Sequence, residues 1–455
     1  MMRRNHLDHL KKWKNRKNRK PLVIRGARQV GKSYLVRMFC EENDMDLLEI
    51  NLEIMDDYRD CFETKDVHQI ITMLELKADK EIVSGKTLIF LDEIQAAPEV
   101  LALLRYFYEK IPELHIIAAG SLLEFILEEH SFSMPVGRIE YMHIGPMSFT
   151  EYLKGINKGR LATYLSEYNI GDELPKPIHH ELYKQYKLYL VIGGMPAAIQ
   201  AYKDTKSLLE VDAVKQSILS TYRDDFNKYE RRVNNLHLQK VYSKLPGQVG
   251  QKLKYVNIDR DIKSSEIKKM LHMLELARVY YPVKHTASNG IPLRSEVNDK
   301  FQKPLFLDVG LFNKACGLTY NQIEKAEDIN LVNSGAVSEQ FIGQHLQYRG
   351  EYYEEPELFY WCREKAQSSA EIDYVIARGT QIIPIEVKSG KTGSLKSLNV
   401  FLKEKHLDFA VRFNGDTPSL TDADYSLPGL TGSYKLLSLP HYLVEELSRI
   451  IENIL

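Results

Sequence analysis

Gly26-Ala27-Arg28-Gln29-Val30-Gly31-Lys32-Ser33 follows the pattern GxxxxGK[ST] without deviation. Glycines at the two ends let a backbone wrap an anion. Successive N–H groups and the N-terminus of a following helix then point at it, and Lys32 adds a full positive charge. Ser33 is the hydroxyl that such a loop offers to Mg²⁺. Some sixty residues on, the apolar run Thr87–Leu91 leads straight into Asp92-Glu93. There Asp92 would orient a hydrated Mg²⁺ and Glu93 would position and polarise an attacking water, because phosphoryl transfer depends on placement and charge neutralisation. Gly120-Ser121, after a second apolar run, puts a hydroxyl where a γ-phosphate could be sensed. Arg138, in Val136-Gly137-Arg138, is the candidate arginine finger, and Arg28 lies inside the loop itself. The chemistry implied is binding and hydrolysis of ATP with Mg²⁺. Gly390-Lys391-Thr392 repeats the tail of the loop pattern, but Ile385 stands where its first glycine would fall.

A second group of chemically capable residues lies near the C-terminus. Asp373 in Glu371-Ile372-Asp373 and Glu386 and Lys388 in Glu386-Val387-Lys388 fall on two extended runs, where residues two apart share a face. With Glu339 on a preceding helix, they resemble the PD-(D/E)xK constellation of restriction-endonuclease-like domains. That resemblance implies carboxylate oxygens for Mg²⁺ and a lysine to position water. Ile372 replaces the motif's proline. Such folds also persist as inactive binding scaffolds, so cleavage and silent binding both stand as readings.

Elements that could position these residues are visible as periodicity. Pro21–Arg25, Thr87–Leu91 and His115–Ala119 read as buried strands; Lys32–Glu42, Val100–Lys110 and Ser121–Glu129 read as helices. Buried strands alternating with helices imply a parallel sheet covered on both faces. Residues 148–235 are mainly helical, interrupted at Gly193-Gly194-Met195-Pro196. Next come helix, helix over Ile262–Glu275, and Val279–Val283 followed by Asn289-Gly290, a two-residue hairpin signal. That is the order of a winged helix-turn-helix. After residue 330 the order is helix Gly335–Tyr348, strand Leu358–Cys362, hairpin Ile372–Ala377 with Gln381–Val387, helix Lys396–Glu404, strand Asp408–Phe413 and helix His441–Ile454.

The segments RGARQVGKS, LIFLDEIQ, AAGSLLEF, VGRIEYMHIGPMSFTEYL and VIGGMPAAI, with PLFLDVGLFNKACG, EIDYVI and PIEVKSG, resemble a large group of bacterial and archaeal AAA+-superfamily ATPases of unassigned cellular role. The resemblance spans nearly the whole chain. It implies an α/β parallel-sheet P-loop NTPase of AAA+/ASCE type with Glu93 as catalytic glutamate, a helical and winged-helix middle, and a C-terminal restriction-endonuclease-like α/β domain. The expected boundaries are 1–147, 148–235, 236–329 and 330–455.

The 455 residues suggest about three domains, and 44% hydrophobic with 27% charged residues excludes wholesale disorder. Four scattered cysteines offer no zinc or redox spacing, and Leu188–Ile199, the longest apolar stretch, is broken by Gly193, Gly194 and Pro196. We expect a cytoplasmic protein without a membrane partner. A formal net charge of −1 conceals segregation: between Gln239 and His285 ten Lys or Arg face four acids, a net +6. On a winged helix that points to DNA, with Lys263, Ser264, Ser265, Lys268 and Lys269 on the candidate recognition helix. A protein partner is the alternative, since winged helices also pack on proteins. A protein-remodelling ATPase is a third reading, for which the sequence holds no substrate-threading aromatic loop. Oligomeric state is open. The basic N-terminus, with nine Lys or Arg in twenty residues, reads as a solvated helix before the first strand.

Overall fold

The computed structural model describes residues 2–129, 137–226, 233–319, 335–363, 370–390, 394–427 and 430–455. Its first sheet holds β1 (Leu22–Arg25), β2 (Asp46–Asn51), β3 (Thr87–Asp92), β4 (His115–Gly120) and β5 (Glu140–His143) in the order β2-β3-β4-β1-β5, all parallel. β3 and β4 are buried at every position, as a strand covered on both faces must be. β4 lies between the strand that enters the phosphate loop and the strand that ends in Asp92, which is the additional-strand order expected of the loop family. The covering helices are α1 (His6–Lys14), α2 (Lys32–Glu42), α3 (Val67–Ala78), α4 (Pro98–Lys110) and α5 (Leu123–Glu129). α1 is less solvated than its charge suggested: Leu7, Leu10 and Trp13, three apart, are wholly buried, and the indole donates to the Lys20 carbonyl at 2.9 Å.

Helices α6 (Phe149–Gly155), α7 (Gly159–Glu167), α8 (Lys176–Ile192), α9 (Pro196–Thr205) and α10 (Leu208–Asp225) follow. The break between α8 and α9 has a defined partner. Asp308 caps α14 (Val309–Ala315), one carboxylate oxygen accepting the Leu311 N–H at 3.0 Å and the other the Gly194 N–H at 2.6 Å. A Cβ on Gly193 would fall 2.2 Å from that carboxylate, so the two motifs lock together through glycine. Among the described residues no helix is long and apolar enough to cross a membrane.

The middle segment contains α11 (Asn235–Lys244), α12 (Tyr255–Ile258), α13 (Ser264–Leu276), β6 (Tyr280–Thr286) and β7 (Val297–Phe306). Helices then an antiparallel hairpin appear in the expected order, with two differences. Asn289-Gly290 is no two-residue turn, because ten residues separate β6 from β7, including a 3₁₀ turn at Leu293–Glu296. Nor is the hairpin a free wing: β6 pairs in parallel with β8 (Phe359–Cys362), making it part of the C-terminal sheet.

That mixed sheet has eight strands in the order β12-β13-β11-β10-β9-β8-β6-β7. Its remaining members are β9 (Glu371–Arg378), β10 (Gln381–Val387), β11 (Phe409–Asn414), β12 (Ser419–Leu427) and β13 (Leu430–Pro440). α15 (Ala336–Gln347) and α16 (Lys396–Lys405) accompany it, and the predicted last helix is a 3₁₀ stretch at His441–Glu446 followed by α17 (Leu447–Glu452). The sheet runs across the expected boundary at 329/330, which itself lies outside the described residues, as do Val136, Lys391 and Thr392.

Candidate functional site

Three parallel neighbours, β3, β4 and β1, end side by side, so the turns that leave them meet at one edge of the sheet. The turn after β1 is the phosphate loop. Gly26 is required by close approach, because a Cβ there would lie 2.3 Å from the Ile144 carbonyl, and Gly31 by its φ of +93° at the start of α2. Gln29 shares the left-handed region at φ +65°. Lys32 is buried, its ammonium donating to the Gly26 carbonyl at 3.0 Å and the Ala27 carbonyl at 2.9 Å. Burial, with Arg28 nearby, draws its pKa down to about 8 against the pull of Glu93 and Asp92. An arriving phosphate would restore its preference for the charged form.

Ser33 Oγ donates to Asp92 Oδ2 at 2.7 Å, which brings together the hydroxyl and carboxylate expected to share a Mg²⁺. Burial pushes the Asp92 carboxyl up, with Glu93 adding to it and Ser33 opposing. Both oxygens suit a hard divalent ion, so these residues fit Mg²⁺.

Glu93 directly follows β3 with φ +51°, an uncommon conformation for a non-glycine residue and one concentrated at functional sites. Its Oε2 accepts the Gln95 amide at 2.6 Å, the Ser121 hydroxyl at 3.1 Å and the Ser121 N–H at 3.4 Å. Burial raises the Glu93 carboxyl, but those donors and Lys32 bring it below its ordinary value, so it is held ionised, as a water-polarising base must be. Ser121 therefore sits on the glutamate. Gln95 had no role in the sequence reading, although its place two residues after Glu93 was the available signal.

Arg28 turns outward from the loop, pairing with Asp225 at the end of α10, and the Tyr222 hydroxyl on that helix donates to the Arg28 carbonyl at 2.6 Å. Arg4 was missed altogether. It is 3% exposed; its guanidinium donates to the Val30 carbonyl and the Gly145 carbonyl, each at 2.8 Å, and to Glu151 Oε1 at 3.1 Å. Nothing marks it in sequence among neighbouring basic residues. Arg138 is not brought to the loop of its own chain. It precedes β5, at the opposite end of the sheet, where it is half-exposed and pairs with Glu109 at 2.8 Å.

The C-terminal candidates do converge, with an addition. Lys303 of β7, 2% exposed, places its ammonium 3.0 Å from Glu339 Oε2, 2.9 Å from Glu371 Oε1 and 3.6 Å from Asp373 Oδ1. Asp373 Oδ2 accepts the Val387 N–H at 2.8 Å, and Lys388 sits 2.5 Å from Glu386 Oε1. Burial, reinforced by neighbouring carboxylates, raises both Glu339 and Glu386 despite these lysines. Among the described residues no three Asp, Glu, His or Cys side chains converge as metal ligands.

Three family models match parts of the chain. An AAA domain matches residues 18–153, and two domains of unknown function, DUF8612 and DUF4143, match 183–322 and 334–427. No curated protein matches the chain. Solved structures similar in part include the ORC2 protein of Aeropyrum pernix in ADPNP–ADP complexes, 13% identical over 74% of this chain and 93% of that one, TM-score 0.37. PCH-2 of C. elegans is 13% identical over 47% and 67%, TM-score 0.29, and a katanin structure 15% identical over 37% and 54%, TM-score 0.22. Likeness at that level says nothing about activity or substrate. The loop, the strand order and the family match agree on one statement: residues 18–153 resemble a P-loop domain of the AAA+ type.

Proposed function

We propose that this protein is an ATP-hydrolysing switch that acts on DNA. The observation that carries the ATPase reading is the meeting of Lys32, Ser33, Asp92, Glu93 and Ser121 at the ends of adjacent parallel strands. Loop N–H groups and Lys32 would hold the triphosphate, Ser33 and Asp92 the Mg²⁺, and Glu93 the attacking water. Bound there, Mg²⁺ supplies charge neutralisation on the phosphate oxygens. Arg138, at the far end of the sheet, fits a finger only if it reaches a neighbouring copy's site.

Two connections support transmission from this site. Arg28 and Asp225 tie the loop to α10. On the sensor side, Glu124 of α5 pairs with Arg25, which precedes the loop, and with Arg278, 3.0 Å away between α13 and β6. His272 of α13 meets Glu128 of α5 as well.

The DNA reading rests on α13, with Ile267, Met270, Leu271 and Leu274 buried and Lys263, Ser264, Ser265, Lys268 and Lys269 exposed. Its basic footprint is smaller than the sequence count, because Arg278 serves Glu124, Lys240 pairs with Asp259, Lys284 faces Glu357, and Lys252 lies over the Phe301 ring. The C-terminal restriction-endonuclease-like segment would be the effector, by cleavage or by binding alone. ATP turnover should rise with duplex DNA, and the rise should fade steeply with salt. Lys268→Glu with Lys269→Glu should abolish it. A response unchanged by DNA would point to a protein partner.

A further inference from the structure

Lys303 does not belong to the sequence pattern that drew attention to the C-terminal carboxylates, yet it stands at their centre. Three of the four acidic side chains, Glu339 from α15 and Glu371 and Asp373 from β9, turn an oxygen toward its ammonium within 3.6 Å. Of the oxygens left over, Asp373 Oδ2 is engaged with the Val387 N–H and Glu386 Oε1 with Lys388. Among these, Glu386 Oε2 is buried without a partner. The ring of Tyr360 lies 5.8 Å from the same ammonium. A divalent ion bound by these carboxylates would either displace a lysine that is 2% exposed or sit beside its charge in a poorly solvated place. The residues present therefore do not fit Mg²⁺ at this position.

We infer that Lys303 is the resident cation of the C-terminal carboxylate cluster, standing where a restriction-endonuclease-like domain would seat its divalent ion. The inference rests on the reading of that segment as restriction-endonuclease-like. The segment then works as a metal-free binding unit, and metal-assisted strand cleavage is not its reaction. Its site is also shared: Lys303 falls within the middle match at 183–322, whereas Glu339, Glu371, Asp373 and Glu386 fall within the C-terminal match at 334–427. The cluster is complete only when β7 has joined the sheet, so the cation clamps two segments together.

The test is Mn²⁺ binding by the full chain without nucleotide or DNA, monitored by the loss of the free-ion EPR signal. Because comparison with Asp373→Asn subtracts any Mn²⁺ held at Ser33 and Asp92, the result reads the cluster alone, and a failure of the DNA reading would leave it standing. Wild type and Asp373→Asn should give superimposable titrations, while Lys303→Met should gain one Mn²⁺ per chain, lost again in Lys303→Met with Asp373→Asn. A wild-type chain that takes up one Mn²⁺ which Asp373→Asn loses overturns the inference, and this comparison decides even if Lys303→Met does not fold. A folded Lys303→Met that gains no Mn²⁺ overturns it too.

Discussion

Replacing Arg4 by methionine removes the guanidinium that fastens the N-terminus to the phosphate loop while keeping most of its apolar stem. Three acceptors lose a donor: the Val30 carbonyl in the loop, the Gly145 carbonyl after β5, and Glu151 in the first turn of α6. Both members of the ion pair are 3% exposed, so water cannot take the place of the missing charge. Removing one partner of a buried pair costs about 3–5 kcal/mol. Glu151 keeps two backbone donors, Asn5 N–H at 2.6 Å and Ser148 N–H at 3.0 Å, which places the loss toward the lower end. About 3 kcal/mol corresponds to a fall of roughly 6–12 °C in the melting temperature of a domain this size. Because Val30 belongs to the loop, ADP affinity should fall in the same variant. Glu151→Gln in the Arg4→Met background should recover part of the melting temperature, since an amide leaves no stranded charge and its one oxygen still accepts one of the two backbone N–H groups. Calorimetric melts and ADP titrations of the two single variants and the double variant measure all of this. A melting temperature within about 2 °C of wild type for Arg4→Met would refute the reasoning, because a loss of about 3 kcal/mol must lower it by more than that.

Two other outcomes come from the same structure. Gln95→Ala removes the shortest of the three hydrogen bonds that hold Glu93 Oε2, so kcat for ATP should change several-fold while ATP affinity stays constant; a change in affinity alone would remove Gln95 from the positioning of Glu93. The buried histidines should destabilise the chain in acid before carboxylates of ordinary pKa titrate, with the raised carboxyls of Glu339 and Glu386 opposing them. Burial holds His6 and His441 down to about 4, so below the unfolded value of about 6.5 the unfolded chain takes up protons that the folded one refuses. The histidine contribution is then complete above about pH 6.5 and falls by about 1.4 kcal/mol per pH unit for each histidine until about pH 4 is neared. In a Glu339→Gln, Glu386→Gln background, which removes the two opposing carboxyls, melting temperatures that stay level from about pH 7 to about pH 5 would contradict this linkage.

How much could be read from the sequence depended on how local each feature is. The phosphate loop and Asp92-Glu93 were legible because their chemistry needs particular residues adjacent in the chain. β3 and β4, buried throughout, show as unbroken apolar runs. β2 and β5 are the two edges of the same sheet, carry Glu49 and Glu140 among partly exposed residues, and lack that signal. β12 fails for the same reason, its exposed Asp422 and Asp424 lying on the sheet's outermost strand. The joining of β6 to β8 depends on pairing residues some seventy-five positions apart, Lys284 with Phe359, and no periodicity reports it. Lys303 was invisible for a related reason: a lysine in an edge strand reads as solvated, and its three acidic partners lie far along the chain. Gln95 differs, since a side-chain amide two residues past the candidate catalytic glutamate could have been singled out at once.

The central claim is that Glu93 drives hydrolysis at a site where other residues do the binding. Single-turnover ATP hydrolysis by Glu93→Gln, read beside its ATP affinity, tests that claim most directly. Affinity close to wild type with hydrolysis lost by about two orders of magnitude or more, on the order expected for general-base catalysis, is the predicted result. Hydrolysis at the wild-type rate with ATP bound would contradict it.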